Sequence, residues 1–98
     1  MSSSVRTAEE KVPGGKLVRV SIIDAPARRV EISGDFFMHP EEGIARLEAA
    51  LGGLGGAEPA DVVVRLLQSV VEEAGIELIG VDVPTIVRLY RRCLACGV

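Results

Sequence analysis

The segment Leu17-Val18-Arg19-Val20-Ser21-Ile22-Ile23 alternates apolar and polar side chains with a period of two. That pattern predicts a half-buried strand, with Val18, Val20 and Ile22 facing inward and Arg19 and Ser21 outward. After the short connection Asp24-Ala25-Pro26-Ala27, Arg28 to Ser33 alternates again with Val30 and Ile32 inward. A connection of that length predicts antiparallel pairing of the two strands. Further on, the apolar period lengthens to that of a helix. Ile44, Leu47 and Leu51 mark a first helix from about Pro40 to Leu51, and Pro59 opens a second that runs to Ala74. In the second helix Val62, Val63, Leu66, Leu67, Val70 and Val71 form a wide stripe that is expected to carry the most core area, and Gly75 is its stop signal. Ile76 to Val81 predicts a short third strand. Asp82 is placed to cap a last helix from Val83 or Pro84 to Leu94, with Ile86, Val87, Tyr90, Cys93 and Leu94 inward and Arg88, Arg91 and Arg92 in water.

Strands first and helices after predict an α+β fold: a two-layer sandwich in which a small antiparallel sheet of two or three strands is covered by about three helices. Residues 1–10 are polar and aperiodic and are expected to form a flexible tail, with a single domain over residues 11–98. The Gly-rich stretch Gly52-Gly53-Leu54-Gly55-Gly56 is expected to end the first helix and continue as a flexible connection.

The chain has 98 residues, 48% hydrophobic and 26% charged, with a formal net charge of −3. That suits one folded domain and a modest core. Acids outnumber bases and only 3% of residues are aromatic, which disfavours nucleic acid, whose phosphates and bases call for a basic face and stacking platforms. No apolar run reaches the roughly 18 residues that cross a bilayer. The first residues also lack the apolar stretch of a signal peptide, so no membrane association and a cytoplasmic location are expected.

Catalytic chemistry leaves little trace. His39 is the only histidine and sits at a predicted helix start, so no nucleophile–base couple is assigned and no catalytic residue is expected. Cys93 and Cys96 have the spacing of redox and zinc motifs but lie at a C-terminal end without further ligands, and no metal site is assigned. Pro13-Gly14-Gly15-Lys16 lacks the Ser or Thr of a phosphate-binding loop and precedes a strand. It reads either as an exposed turn or as a place where Lys11 or Lys16 meets an anion or a partner.

The most specified stretch is Gly34-Asp35-Phe36-Phe37-Met38-His39-Pro40, which holds both phenylalanines at a strand-to-helix junction. Adjacent residues of a strand point to opposite faces, so one ring can enter the core while the other faces a partner. Asp35 can hydrogen-bond nearby backbone N–H groups, Pro40 suits a first helical position, and Glu41 and Glu42 suit the positive end of a helix.

Lys11-Val12-Pro13-Gly14-Gly15-Lys16-Leu17, a hairpin, and then Gly34-Asp35-Phe36-Phe37 with His39-Pro40-Glu41-Glu42 resemble the accessory domain of lipoate–protein ligases. In that family the domain is either fused C-terminal to the catalytic domain or, notably in archaea, a separate small chain, and a chain of this size resembles the latter. The resemblance implies a heterodimer with a large catalytic subunit that binds lipoate, ATP and Mg²⁺, while this chain alone binds no cofactor. It also implies that the small subunit is needed to form lipoyl-AMP and is nearly dispensable for passing lipoyl to the acceptor lysine, so that a lipoyl-acceptor domain is met only indirectly. The residues matching the motif, Lys11, Pro13, Gly14, Gly15, Lys16, Gly34, Asp35, Phe36, Phe37 and His39, are the candidate contacts to the partner or the adenylation site. The Gly52–Gly56 connector and the Cys-containing end gain no role from the resemblance. The competing readings are a stand-alone protein-interaction module and a sulfur or iron–sulfur scaffold.

Overall fold

Three strands, β1 (Val5–Val12), β2 (Lys16–Ile23) and β3 (Arg29–Gly34), form an antiparallel sheet in the order β1-β2-β3 in the computed structural model. The structure describes residues 5–12, 16–24 and 28–95. Beyond the sheet come β4 (Phe37–His39), α1 (Gly43–Gly52), α2 (Ala60–Ala74), β5 (Glu77–Ile79) and α3 (Val83–Ala95). The expected α+β architecture is present, with three helices packed against the three-stranded sheet and β4 and β5 pairing as a separate antiparallel ribbon.

The alternation of β2 places Val18, Val20 and Ile22 at the centre of the core, where all three are fully buried. Val30 and Ile32 of β3 join them as expected. The other face stays wet: Thr7 and Ser21 share a 3.0 Å hydroxyl hydrogen bond, and Arg19 pairs with Glu9 at 2.8 Å.

Helix α3 is the central helix, packed on β2 and β1 and on α2. It buries Val83, Thr85, Ile86, Val87, Leu89, Tyr90 and Cys93, whereas α2 buries only Val63 and Leu67. The expectation that the second helix carries most of the core is thus reversed. The reason is position: α3 lies across the sheet, and α2 stacks outside it and leaves Val62 exposed. Asp82 caps α3 as expected, its Oδ1 accepting the Thr85 N–H at 2.8 Å. Hydrogen bonds from Thr85 hold the Asp82 carboxyl below its ordinary value. Gly75 ends α2 in the left-handed region at φ 64°, ψ 37°, with its N–H turned back to the carbonyls of Val71 and Glu72.

Three further boundaries differ from the expectation. The tail proposed for residues 1–10 is a strand from Val5 onward, and residues 1–4 lie outside the described residues. Its inward positions are Arg6, Ala8, Glu10 and Val12, so the charges break the apolar alternation that announces a strand. Those charges are satisfied by neighbours. Arg6 pairs with Asp24 at 3.1 Å and reaches the Cys93 carbonyl, while Glu10 accepts from Arg88 and Arg92 of α3. This strand, not Ile76–Val81, completes the main sheet. Helix α1 begins at Gly43 rather than Pro40, because β4 keeps the chain extended through His39 and the direction must change before a helix can start. The change is made by a cis His39–Pro40 bond and a turn in which the N–H groups of Gly43 and Ile44 donate to the carbonyls of Pro40 and Glu41. The Gly-rich connector is tied down rather than loose: both Glu58 carboxylate oxygens accept N–H groups, of Gly55 and Gly56, each at 3.0 Å, and Arg28 donates to the Leu54 carbonyl.

The β3 edge of the sheet is covered by α1, where Glu48 Oε2 accepts the Ile32 N–H at 2.7 Å. Burial raises the Glu48 carboxyl above its ordinary value, with the Ile32 N–H opposing in part. A raised carboxyl favours the folded state most at acidic pH, and that contribution is lost as pH rises through the folded-state pKa. Glu48→Gln keeps an acceptor for Ile32 without the charge. Its stability relative to the parent should therefore improve as pH rises from 4.5 toward neutrality. Parallel urea-unfolding profiles for the two proteins across that range would contradict it.

Candidate functional site

The short ribbon carries the most exposed aromatic surface on the chain. Phe37 of β4 lies directly across from Ile79 of β5, and Met38 across from Leu78. Alternation sends Met38, 3% exposed, and Leu78 toward the core and turns Phe37 and Ile79 outward, where they are 65% and 44% exposed. His39 and Glu77 form the neighbouring cross-strand pair on the same outer face, and both are exposed. The two phenylalanines therefore divide as their adjacency predicts. Phe36 packs against the core, and Phe37 stands in solvent. An exposed Phe beside an exposed Ile is an apolar anchor with a polar surround, the composition of a protein-contact patch.

Gly34 and Asp35 fix where this ribbon leaves the main sheet. The Asp35 N–H donates to the Leu17 carbonyl at 2.8 Å, so the turn is held through the backbone of Asp35 and its carboxylate is exposed. Lys16 is brought close. A β-carbon on Gly80 would stand 3.5 Å from Phe36 Cβ and 3.8 Å from Lys16 Cγ, so the start of β2, Phe36 and the end of β5 adjoin one another.

The structure does not bring Lys11 and Lys16 together. In the β1–β2 register Val12 faces Lys16 and Lys11 faces Leu17, so the two lysines sit on opposite faces of the sheet, Lys16 on the helix side and Lys11 on the open side with Glu9 and Arg19. Pro13, Gly14 and Gly15 lie outside the described residues. The site that emerges is Phe37 with Ile79, flanked by His39, Glu77 and Lys16. Ile79 and Glu77 were not legible as members. In Ile76–Val81 the one charged residue, Glu77, marks the outward parity that Ile79 shares only once the segment is paired as a strand with β4.

Among the described residues no three His, Cys, Asp or Glu side chains gather as a metal-binding group. Cys93 is fully buried with its Sγ 3.0 Å from the Val20 carbonyl, and Cys96 lies outside the described residues. Tyr90 is buried too. Its burial raises the phenol above its ordinary value, with the positive charge of Arg28 opposing. Among the described residues no helix is long and apolar enough to cross a membrane.

No protein-family model matches the sequence, and no curated protein matches it. A solved structure does. A chain of an archaeal lipoylation system, a bi-partite lipoate protein ligase and its E2 lipoyl domain from Thermoplasma acidophilum, is 27% identical and superposes with a TM-score of 0.65. The match covers 89% of this chain and 94% of that one, so it takes in nearly the whole of both. The resemblance carried by the Lys11–Leu17 and Gly34–Glu42 motifs is met by this likeness, and the chain is related to a bi-partite lipoate protein ligase system.

Proposed function

We propose that this chain is the small, non-catalytic subunit of a cytoplasmic two-component lipoate–protein ligase. In this reading a separate large subunit binds lipoate, ATP and Mg²⁺ and carries the chemistry, and the small subunit is required for ATP-dependent formation of lipoyl-AMP. The likeness, along nearly its whole length, to a chain of an archaeal lipoylation system made of a bi-partite ligase and its E2 lipoyl domain is the observation that carries the reading. The ribbon face supports a binding role: it offers an apolar anchor in Phe37 and Ile79, with Lys16 beside Gly80 at the end of β5.

The physical role follows from what adenylation demands. A carboxylate and a metal-bound triphosphate must be held in one closed geometry before the bond forms, and positioning of that kind lowers a barrier without any covalent contribution from the group that provides it. The small subunit supplies binding energy at the ribbon, and the large subunit uses it to hold the closed state. Lys16, on the flank of the anchor, faces the partner or the phosphate charge next to it. Lys11, on the opposite face of the sheet, serves a different contact. Co-expression with the large ligase chain and affinity capture on one tag test the reading. A complex of one copy of each chain that survives gel filtration is expected, and recovery of the large chain without this one contradicts it.

A further inference from the structure

Helices α2 and α3 leave a groove of about 340 Å³ between them, lined by Ala60 and Val64 of α2 and by Pro84, Val87, Arg88 and Arg91 of α3. The helical period builds it. Ala60 and Val64 stand one turn apart on α2, and Pro84, Val87 and Arg91 follow one another along one face of α3. The short side chains at 60 and 84 leave depth, and Val87, buried, forms the floor. The two arginines differ. Arg88 is neutralised by Glu10 of β1. Arg91 donates through Nη1 to the Glu58 carbonyl at 2.9 Å, while the Glu58 carboxylate is taken up by the N–H groups of Gly55 and Gly56. That bond uses one of the guanidinium's donors and none of its charge. Among the described residues no carboxylate pairs with Arg91, and neither Glu58 nor Asp61 lines the groove.

We infer that this groove binds a medium-chain carboxylate, its alkyl chain lying on Ala60, Val64, Pro84 and Val87 and its carboxylate on Arg91. The length agrees. From Pro84 to Arg91 is about 10 Å along the α3 axis, the reach of an extended zigzag chain of roughly eight carbons with bonds of about 1.5 Å. The volume lies at the lower end of small-molecule sites, about 300–1,000 Å³. A protein partner would need a far wider contact with a charge-poor centre. Here the narrow apolar floor is rimmed by charge: the Arg88–Glu10 pair, and Asp61 and Arg65, both exposed. The groove is therefore sized for a single tail. A guanidinium fork matches a carboxylate through two parallel hydrogen bonds, and the apolar wall beside it lowers the local dielectric and strengthens the pair. Lipoate, a carboxylate on an aliphatic chain, belongs to this class. The inference nonetheless rests on the groove alone, which none of the Phe37–Ile79 face lines, and stands or falls independently of the ligase reading.

Octanoate is the probe, with octan-1-ol and acetate as controls, each titrated into the isotope-labelled full chain below the concentration at which octanoate forms micelles. Octanoate should shift the Val64 and Val87 methyl signals and the Arg91 Nε–H signal along one saturable curve. Octan-1-ol should move the methyl signals at least tenfold more weakly, and acetate should move neither. Each methylene added between butanoate and octanoate should tighten binding by up to about fourfold. Arg91→Gln, at an exposed position, should weaken octanoate at least tenfold and leave octan-1-ol unchanged, which also reports an intact groove. Ala60→Leu, exposed as well, fills the groove and should weaken both ligands without lowering the melt. Octanoate shifts that do not saturate, or that centre on Phe37 and Ile79, overturn the inference. So does an Arg91→Gln chain that binds octanoate as tightly as the parent. All signals come from this chain alone, so the result is distinct from whether a large ligase chain binds.

Discussion

Among the described glycines, Gly34→Ala should be the most damaging single-methyl change. Gly34 holds φ at +147°, a region that side chains rarely adopt, and it sits directly across from Val18 in the centre of the sheet. A β-carbon there would collide with the Leu17 carbonyl oxygen and stand 3.0 Å from both Leu17 C and Val18 Cα. These are backbone atoms of the central strand, so no side chain can swing aside to make room. The carbonyl it strikes is also the acceptor for the Asp35 N–H, and relief of the clash would break the bond that starts the ribbon. Backbone strain and overpacking each cost about 1–3 kcal/mol, and here both act on one residue. A fall in the melting midpoint of at least about 10 °C is expected for a domain of this size. A melt within a degree or two of the parent would show that the turn is not held as described.

Phe37→Ala should separate binding from folding. The ring is largely in solvent, so the melt should move little, whereas truncating a central aromatic anchor typically costs about 2–4 kcal/mol of binding. The dissociation constant for the large ligase chain should then rise by roughly thirty- to a thousand-fold. Ile79→Ala should act in the same direction and less than additively with it, because the two side chains are cross-strand neighbours on one face. Met38→Ala supplies the contrast. Met38 points into the core, so its truncation should lower the melt by an amount that Phe37→Ala does not approach. Calorimetric titration of the large chain with each variant, beside thermal melts, reads both effects. Unchanged affinity in Phe37→Ala would move the docking face elsewhere.

Most of the fold was legible where one period ran unbroken. β2 and β3 alternate cleanly, α2 and α3 each follow a cap or a proline, and all four lie within a residue or two of expectation. The errors share a cause, which is that the deciding interaction is distant in sequence. β1 has charged inward positions that make sense only beside distant partners, Asp24 and the Cys93 carbonyl for Arg6, and Arg88 and Arg92 of α3 for Glu10. The start of α1 is delayed because β4 pairs with β5, a partnership between segments too short to announce themselves. The connector looked loose because its glycines were visible and the Glu58 carboxylate that holds two of their N–H groups was not an obvious partner. At the site, adjacency alone said that Phe36 and Phe37 must part, but which one faced outward depended on Met38 and Leu78 both turning inward. The separation of Lys11 from Lys16 was readable in principle, since hairpin register fixes which face each takes. It needed a strand beginning well before Lys11, and the polar composition of Val5–Glu10 concealed it.

The half-reactions separate an organiser of the adenylation pocket from a bystander. Lipoate-dependent release of pyrophosphate from ATP should be close to absent with the large chain alone and appear when this chain is added. With lipoyl-AMP and an acceptor domain supplied, addition of this chain should change transfer little, because the intermediate is already assembled and held. Lys16→Ala should reduce the first rate more than the second. The measurement is pyrophosphate release by the large chain with and without this protein at saturating lipoate and ATP: a rise of at least tenfold on addition is the predicted result, and an equal rate in its absence would contradict the account.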